Sequence, residues 1–141
     1  MKSFEGEARM FKNLEVFKIS HAMAVHAGQK QAVAAQNVAN SDTPEYKARD
    51  VAPFADSYRT HVSMGDSVGQ RATRDRHLHG VSDGHMAEPT IDEDAIASPN
   101  GNTVSLEGEM LKSLDAKRQH DRAVAIYKSS LGILRATLSR Q

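Results

Sequence analysis

Three of the seven histidines fall within nine residues, as His77-x-His79 and His85. This is the one constellation in the chain whose residue types could hold a metal ion. A structural zinc site takes four ligands on a rigid frame. Here the flanking stretch runs from Gly69 to Gly84, and there is no cysteine anywhere in the chain. The same absence removes thiolate nucleophiles and disulfides. Serine, histidine and aspartate all occur, but none stands in a nucleophile elbow or beside a paired carboxylate. Gly65 and Gly69 are not followed by Lys-Ser or Lys-Thr, so no phosphate-cradling loop is indicated. Arg71, Arg74 and Arg76 form a short basic run, yet Asp66, Asp75 and Asp83 interrupt it without an aromatic nearby. That pattern argues against nucleic acid. The expectation is a chain with no catalytic residue, no cofactor and no metal. An enzymatic role would have to rest on a metal in the histidine loop.

The elements that would position these residues are few. The 141 residues suffice for about one domain. With 5% aromatic residues and no Trp, a large globular core is not expected. Net charge is zero but unevenly spread: residues 1–50 carry seven basic and six acidic groups, 51–103 four and eight, 104–141 seven and four. From Met10 to about Asn40 the sequence reads as one helix. Met10, Leu14, Phe17, His21, Ala24, Gly28, Gln31, Ala35 and Val38 recur at alternating four and three, a coiled-coil seam. Residues 22–39 are alanine-rich and lack proline, and such a stripe needs a partner to cover it. Asn40, Ser41 and Asp42 compete with the helix through their short side chains, and Pro44 ends it.

Val51, Phe54, Tyr58 and Val62 allow a short helix after Pro53. Residues 65–103 show no periodicity and hold five Gly and two Pro; they read as an irregular insertion, mobile in the free monomer. A second long helix starts near Ser105, a good N-cap, with Glu107 and Glu109 in its first turn. Its seam runs Leu106, Met110, Ser113, Lys117, His120, Val124, Tyr127, Leu131, Leu134 and Leu138. The fold class is therefore all-α. Two long terminal helices pair as a coiled-coil-like hairpin around an irregular, largely mobile middle segment. The divisions are 1–50, an N-terminal helix and turn; 51–103, the middle; and 104–141, the C-terminal helix.

The stretch Asn37-x-x-Asn40-x-x-Thr43-Pro44-x-Tyr46 resembles the N-terminal signature of flagellar axial proteins, the rod and hook family. Its continuation, Tyr46-Lys47-Ala48-Arg49-Asp50, looks like that of the proximal rod members. The match covers about sixteen residues. Glu45 departs from it, since the family usually has glycine there. Glycine would permit a type II turn with positive φ, so a type I turn is expected here. Gly101-Asn102-Thr103-Val104-Ser105-Leu106-Glu107-x-Glu109-Met110 resembles the family's C-terminal motif more loosely, with Ala116 and His120 where Asn and Tyr are usual.

The resemblance implies a structural subunit of the proximal rod of the bacterial flagellar basal body, transmitting torque by helical assembly through its terminal helices. Implied partners are other rod proteins, the motor ring and export-gate base, and copies of the chain itself. Implied assembly residues are Asn37, Asn40, Thr43, Pro44, Tyr46, Arg49 and Asp50 at the turn, with Leu106, Met110, Val124, Tyr127, Leu131, Leu134 and Leu138 on the C-terminal seam. The start, Met1-Lys2-Ser3-Phe4-Glu5-Gly6-Glu7, has acidic residues where a signal peptide has its apolar core. No run approaches the ~20 apolar residues of a membrane span. Alone, this reads as cytoplasmic. The resemblance implies instead a periplasmic rod subunit sent out uncleaved by the flagellar type III export apparatus. The competing class is a soluble coiled-coil adaptor or an export chaperone, which would share the helices but would not need the Asn-Thr-Pro-Tyr turn.

Overall fold

The computed structural model describes residues 4–64 and 88–139, with side chains placed over 15–60 and 88–139. Helix α1 spans Phe4–Ala39, helix α2 Phe54–Met64 and helix α3 Leu106–Leu138. A two-residue strand β1 (Arg49–Asp50) pairs antiparallel with β2 (Thr90–Ile91), placing Arg49 opposite Ile91 and Asp50 opposite Thr90. The protein is all-α in character, and α1 and α3 form a long hairpin. At ~1.5 Å per residue the 36 residues of α1 run to roughly 54 Å. No helix among the described residues is long and apolar enough to cross a membrane.

Helix α1 begins at Phe4, six residues before the position read from periodicity. Helix α3 starts as its sequence indicates. Ser105 sits in extended geometry (φ −99°, ψ 111°) and its hydroxyl accepts from the Gly108 amide at 3.3 Å. Helix α2 follows Pro53, whose carbonyl accepts from the amides of Asp56 and Ser57, both at 3.1 Å.

The core between α1 and α3 is narrow and built of small residues. Ser20, Ala27, Ala34 and Asn37 are buried on α1, and Glu109, Ala116 and Ala123 on α3. This differs from the seams read in the sequence by one position along each helix. His21, Gly28, Gln31, Ala35 and Val38 on α1 are exposed, as are Leu106, Met110, Lys117 and His120 on α3. One position is a rotation of about 100°. The reason is that alanine occupies both faces of α1, so periodicity gave no contrast, and the larger apolar residues drew the stripe toward themselves. Toward the open end of the hairpin, residues of both predicted seams touch. There Phe17 and Tyr127 pack edge to face with ring centroids 5.1 Å apart. Helices lined by alanine approach closely, and the large side chains then flank the contact.

Residues 88–103 carry no long element, as their composition indicates, but they are held in place. The Asp92 amide donates to the Ala48 carbonyl at 2.9 Å, and the Thr103 amide to Tyr46 at 3.1 Å. A two-residue ladder leaves no alternation for a sequence to display. The histidines at 77, 79 and 85, and the mobility expected of their loop, lie outside the described residues.

A clasp between the two ends of the chain

The candidate site is the turn that closes α1, together with the strand-like approach to α3. Asn37 is completely buried. Its amide behaves like a strand neighbour toward Arg49. The Oδ1 accepts from the Arg49 amide at 3.1 Å, while Nδ2 donates to the Arg49 carbonyl at 2.7 Å. The Tyr46 hydroxyl also donates to Oδ1, at 3.3 Å. One side chain thus satisfies both backbone groups of a residue twelve positions on, and orients Tyr46. Asn40 caps the helix: its amide and its Nδ2 both donate to the Gln36 carbonyl, at 3.2 and 2.8 Å. Thr43 donates its hydroxyl to Asn40 Oδ1 at 3.3 Å.

Asn102 completes the arrangement from the other end of the sequence. It is 2% exposed, and its Nδ2 lies 2.9, 2.9 and 2.8 Å from the carbonyls of Asn40, Ser41 and Thr43. An amide has two N–H groups, so three acceptors share two hydrogens. Its Oδ1 accepts from the Val104 amide at 2.7 Å, setting the entry into α3. Beside it, Thr103 Oγ1 accepts from the Ala48 amide at 2.8 Å. Ser98-Pro99-Asn100-Gly101 forms the tight turn that presents Asn102, with Gly101 at φ +81°. A Cβ at Gly101 would meet Glu45 Cγ at 3.3 Å.

Glu45 corrects the expectation of a type I turn. Its φ is +60°, the sign that a type II turn requires at its third position. The Tyr46 amide reaches back to the Thr43 carbonyl at 3.4 Å, and the Glu45 amide donates to Asn100 at 3.0 Å. These bonds, together with Gly101 against its backbone, hold a glutamate where glycine is easier. The left-handed conformation costs about 1–2 kcal/mol for a residue with a Cβ. Glycine gives back ~0.4–1 kcal/mol through the unfolded chain. Glu45→Gly is therefore expected to stabilise by up to about 1 kcal/mol, read as a higher urea midpoint.

No protein-family model matches the chain. Among curated proteins, it is 27% identical over 138 residues to the flagellar basal body rod protein FlgB of Agrobacterium fabrum (strain C58), covering 90% of this chain and 95% of that protein. It is also 26% identical over 107 residues to the protein of the same name from Salmonella typhimurium (strain LT2), covering 73% and 78%. The chain is a relative of the FlgB rod proteins.

Of the residues the sequence singled out, Asn37, Asn40, Thr43, Tyr46 and Arg49 share the bonding network of the clasp, and Pro44 lies exposed at its tip. Asp50 points elsewhere. Its Oδ2 is 3.0 Å from Lys112 Nζ, which also lies 3.3 Å from Asp92 and from Glu109. Burial alone would lower the Lys112 pKa, but the hydrogen bond and charge of Asp50, the charge of Glu109 and the hydrogen bond to Asp92 outweigh it. The ammonium is held above its ordinary value. Leu106, Met110, Tyr127 and Leu138 are exposed, and Val124, Leu131 and Leu134 half-buried. Among the described residues no group of three or more histidines and carboxylates is placed to hold a metal.

Sequence reasoning missed Asn102, Thr103, Lys112 and His26 as positioning residues. Asn102 and Thr103 stood inside a quoted motif, where bond-forming side chains before an N-cap were the available signal. His26 is buried, donating from Nε2 to the Ala52 carbonyl at 2.8 Å, with Gln119 Nε2 3.5 Å from its Nδ1. It packs edge to face on Phe54 at 5.5 Å and so joins all three helices. Burial disfavours the charged ring and lowers its pKa below 6.5; the Ala52 bond opposes this and the Lys30 charge assists it. The unfolded chain then binds this proton more readily than the folded one. The stability contributed by neutral His26 is present above about pH 6.5 and is lost as pH falls through the lower folded value. The urea midpoint of wild type should fall more steeply below about pH 6.5 than that of His26→Gln.

Proposed function

We propose that the chain is a non-enzymatic structural subunit of the proximal rod of the bacterial flagellar basal body. The observation that carries this is the clasp. The two segments that resemble axial-protein motifs, 37–50 and 101–110, lie about sixty residues apart in sequence and converge on one hydrogen-bonded cluster. Similarity to two rod proteins, in one case over nine-tenths of this chain, supports the same reading. The hairpin's exposed apolar residues, Met110, Leu111, Ile133 and Leu138 among them, are surfaces for neighbours.

On this reading, residues 1–50 and 104–141 form the axial unit and 51–103 an insertion carried on it. The helices pack into a helical assembly that transmits torque, with other rod proteins, the motor ring and export-gate base, and further copies as neighbours. Delivery is by the flagellar type III apparatus, to the periplasmic rod. The turn residues fix the angle between hairpin and insertion, and the α3 flank carries the contacts.

Deleting the gene should abolish swimming, and the wild-type gene should restore it. A Leu131→Asp, Leu134→Asp double variant should fail to restore swimming while still being exported, because two charges would enter an apolar contact unpaired, costing several kcal/mol. Full swimming in the deletion strain would remove the rod assignment and favour an adaptor or chaperone.

A further inference from the structure

Beside the clasp, α1 and α3 leave an open apolar groove. Ala35 and Val38 form one wall, Met110 and Leu114 the other, and Glu109 lies in its lining. Met110 is 66% exposed and Leu114 45%. Glu109 is 3% exposed, and although its Oε1 reaches Lys112, its buried Oε2 has no hydrogen-bond partner. Around it, Asp50, Asp92 and Glu109 share the single ammonium of Lys112, a local excess of two negative charges. Lys117 stands at the rim.

The complementary surface is on the same chain. Residues 122–139 contain Arg122, Lys128 and Arg135 and no acidic residue. Lys128, Leu131, Arg135 and Leu138 recur at three, four and three, so they share one face of α3. Lys128, Arg135 and Leu138 are exposed and Leu131 half-buried. This face lies about twenty residues, roughly 30 Å, along α3 from the groove. A molecule therefore cannot fill its own groove with it.

We propose that the groove receives the C-terminal half of α3 from a second copy of the chain, with Lys128 and Arg135 of that copy set against the acidic excess around Glu109. Groove and ligand helix are different surfaces, so the contact is head-to-tail and leaves each copy with one unused half. Such contacts propagate into a ring or a helical filament. The inference rests on the reading of the chain as an assembling subunit and adds which surfaces meet.

Sedimentation velocity of the purified full chain, over a range of concentration and salt, tests it. Wild type should associate, less so at high salt. Arg135→Glu spoils the ligand helix, and Ala35→Arg, at an exposed position, blocks the groove without touching the buried helix contact. Each alone should weaken association by about tenfold or more, with helical circular dichroism unchanged. Mixed in equal amounts they should form dimers but nothing larger, since each retains the half the other lacks. Three results would overturn the proposal: variants that associate like wild type, a mixture as weak as its components, or wild type monomeric throughout. The last would assign the groove to a different protein. Placement in the rod is tested in cells, so either reading can fail while the other stands.

Discussion

Asn102→Asp is expected to unfasten the clasp. The substitution keeps shape and volume but replaces the Nδ2 donor by a carboxylate oxygen, aimed at the carbonyls of Asn40, Ser41 and Thr43. A buried charge without a partner, set against three acceptors, costs about 3–5 kcal/mol, a large part of a small protein's stability. Urea unfolding should show that loss, and hydrogen exchange should show it concentrated at residues 43–48. Asn100→Asp is the control. Asn100 Oδ1 only accepts, from the Asn102 amide at 3.0 Å, and a carboxylate does the same. Its effect should stay within about 0.5 kcal/mol. Equal stabilities for the two variants would mean that Asn102 does not hold the turn.

The second large effect is expected at Ala116→Leu. Ala116, Ala123 and Ala27 are each 1% exposed, so a leucine at 116 has no room unless the helices separate. Overpacking of this kind costs about 1–3 kcal/mol and should lower the thermal midpoint measured by circular dichroism. Leu111→Ala is the counterpart. Leu111 is 66% exposed, and trimming it should change monomer stability by less than about 0.5 kcal/mol. On the proposed function it should instead weaken incorporation into the rod. The pair separates what holds the hairpin together from what it offers to neighbours.

These expectations show which physical signals a sequence carries. The helices, the Ser105 cap and the break at Asn40 to Pro44 were legible because propensity, capping and proline geometry act locally. The phase of the helix contact was not, because it depends on which alanines face each other, and alanine carries almost no contrast. Asn37 was legible only through the resemblance, and its chemistry, both backbone groups of Arg49 satisfied by one amide, is a tertiary fact. Glu45 shows tertiary override directly: three backbone contacts impose a conformation that its side chain disfavours. His26 gave no signal, since a histidine on an alanine-rich helix looks the same whether it faces solvent or joins three helices.

Basal bodies purified from cells carrying a tagged copy of the chain, imaged with a label on the tag, decide whether the chain is a proximal rod subunit. Label is expected at the proximal end of the rod, and its loss together with the rod when Asn102→Asp replaces the wild-type residue. Intact, rod-bearing basal bodies with no label, and tagged protein confined to the cytoplasm, would contradict it.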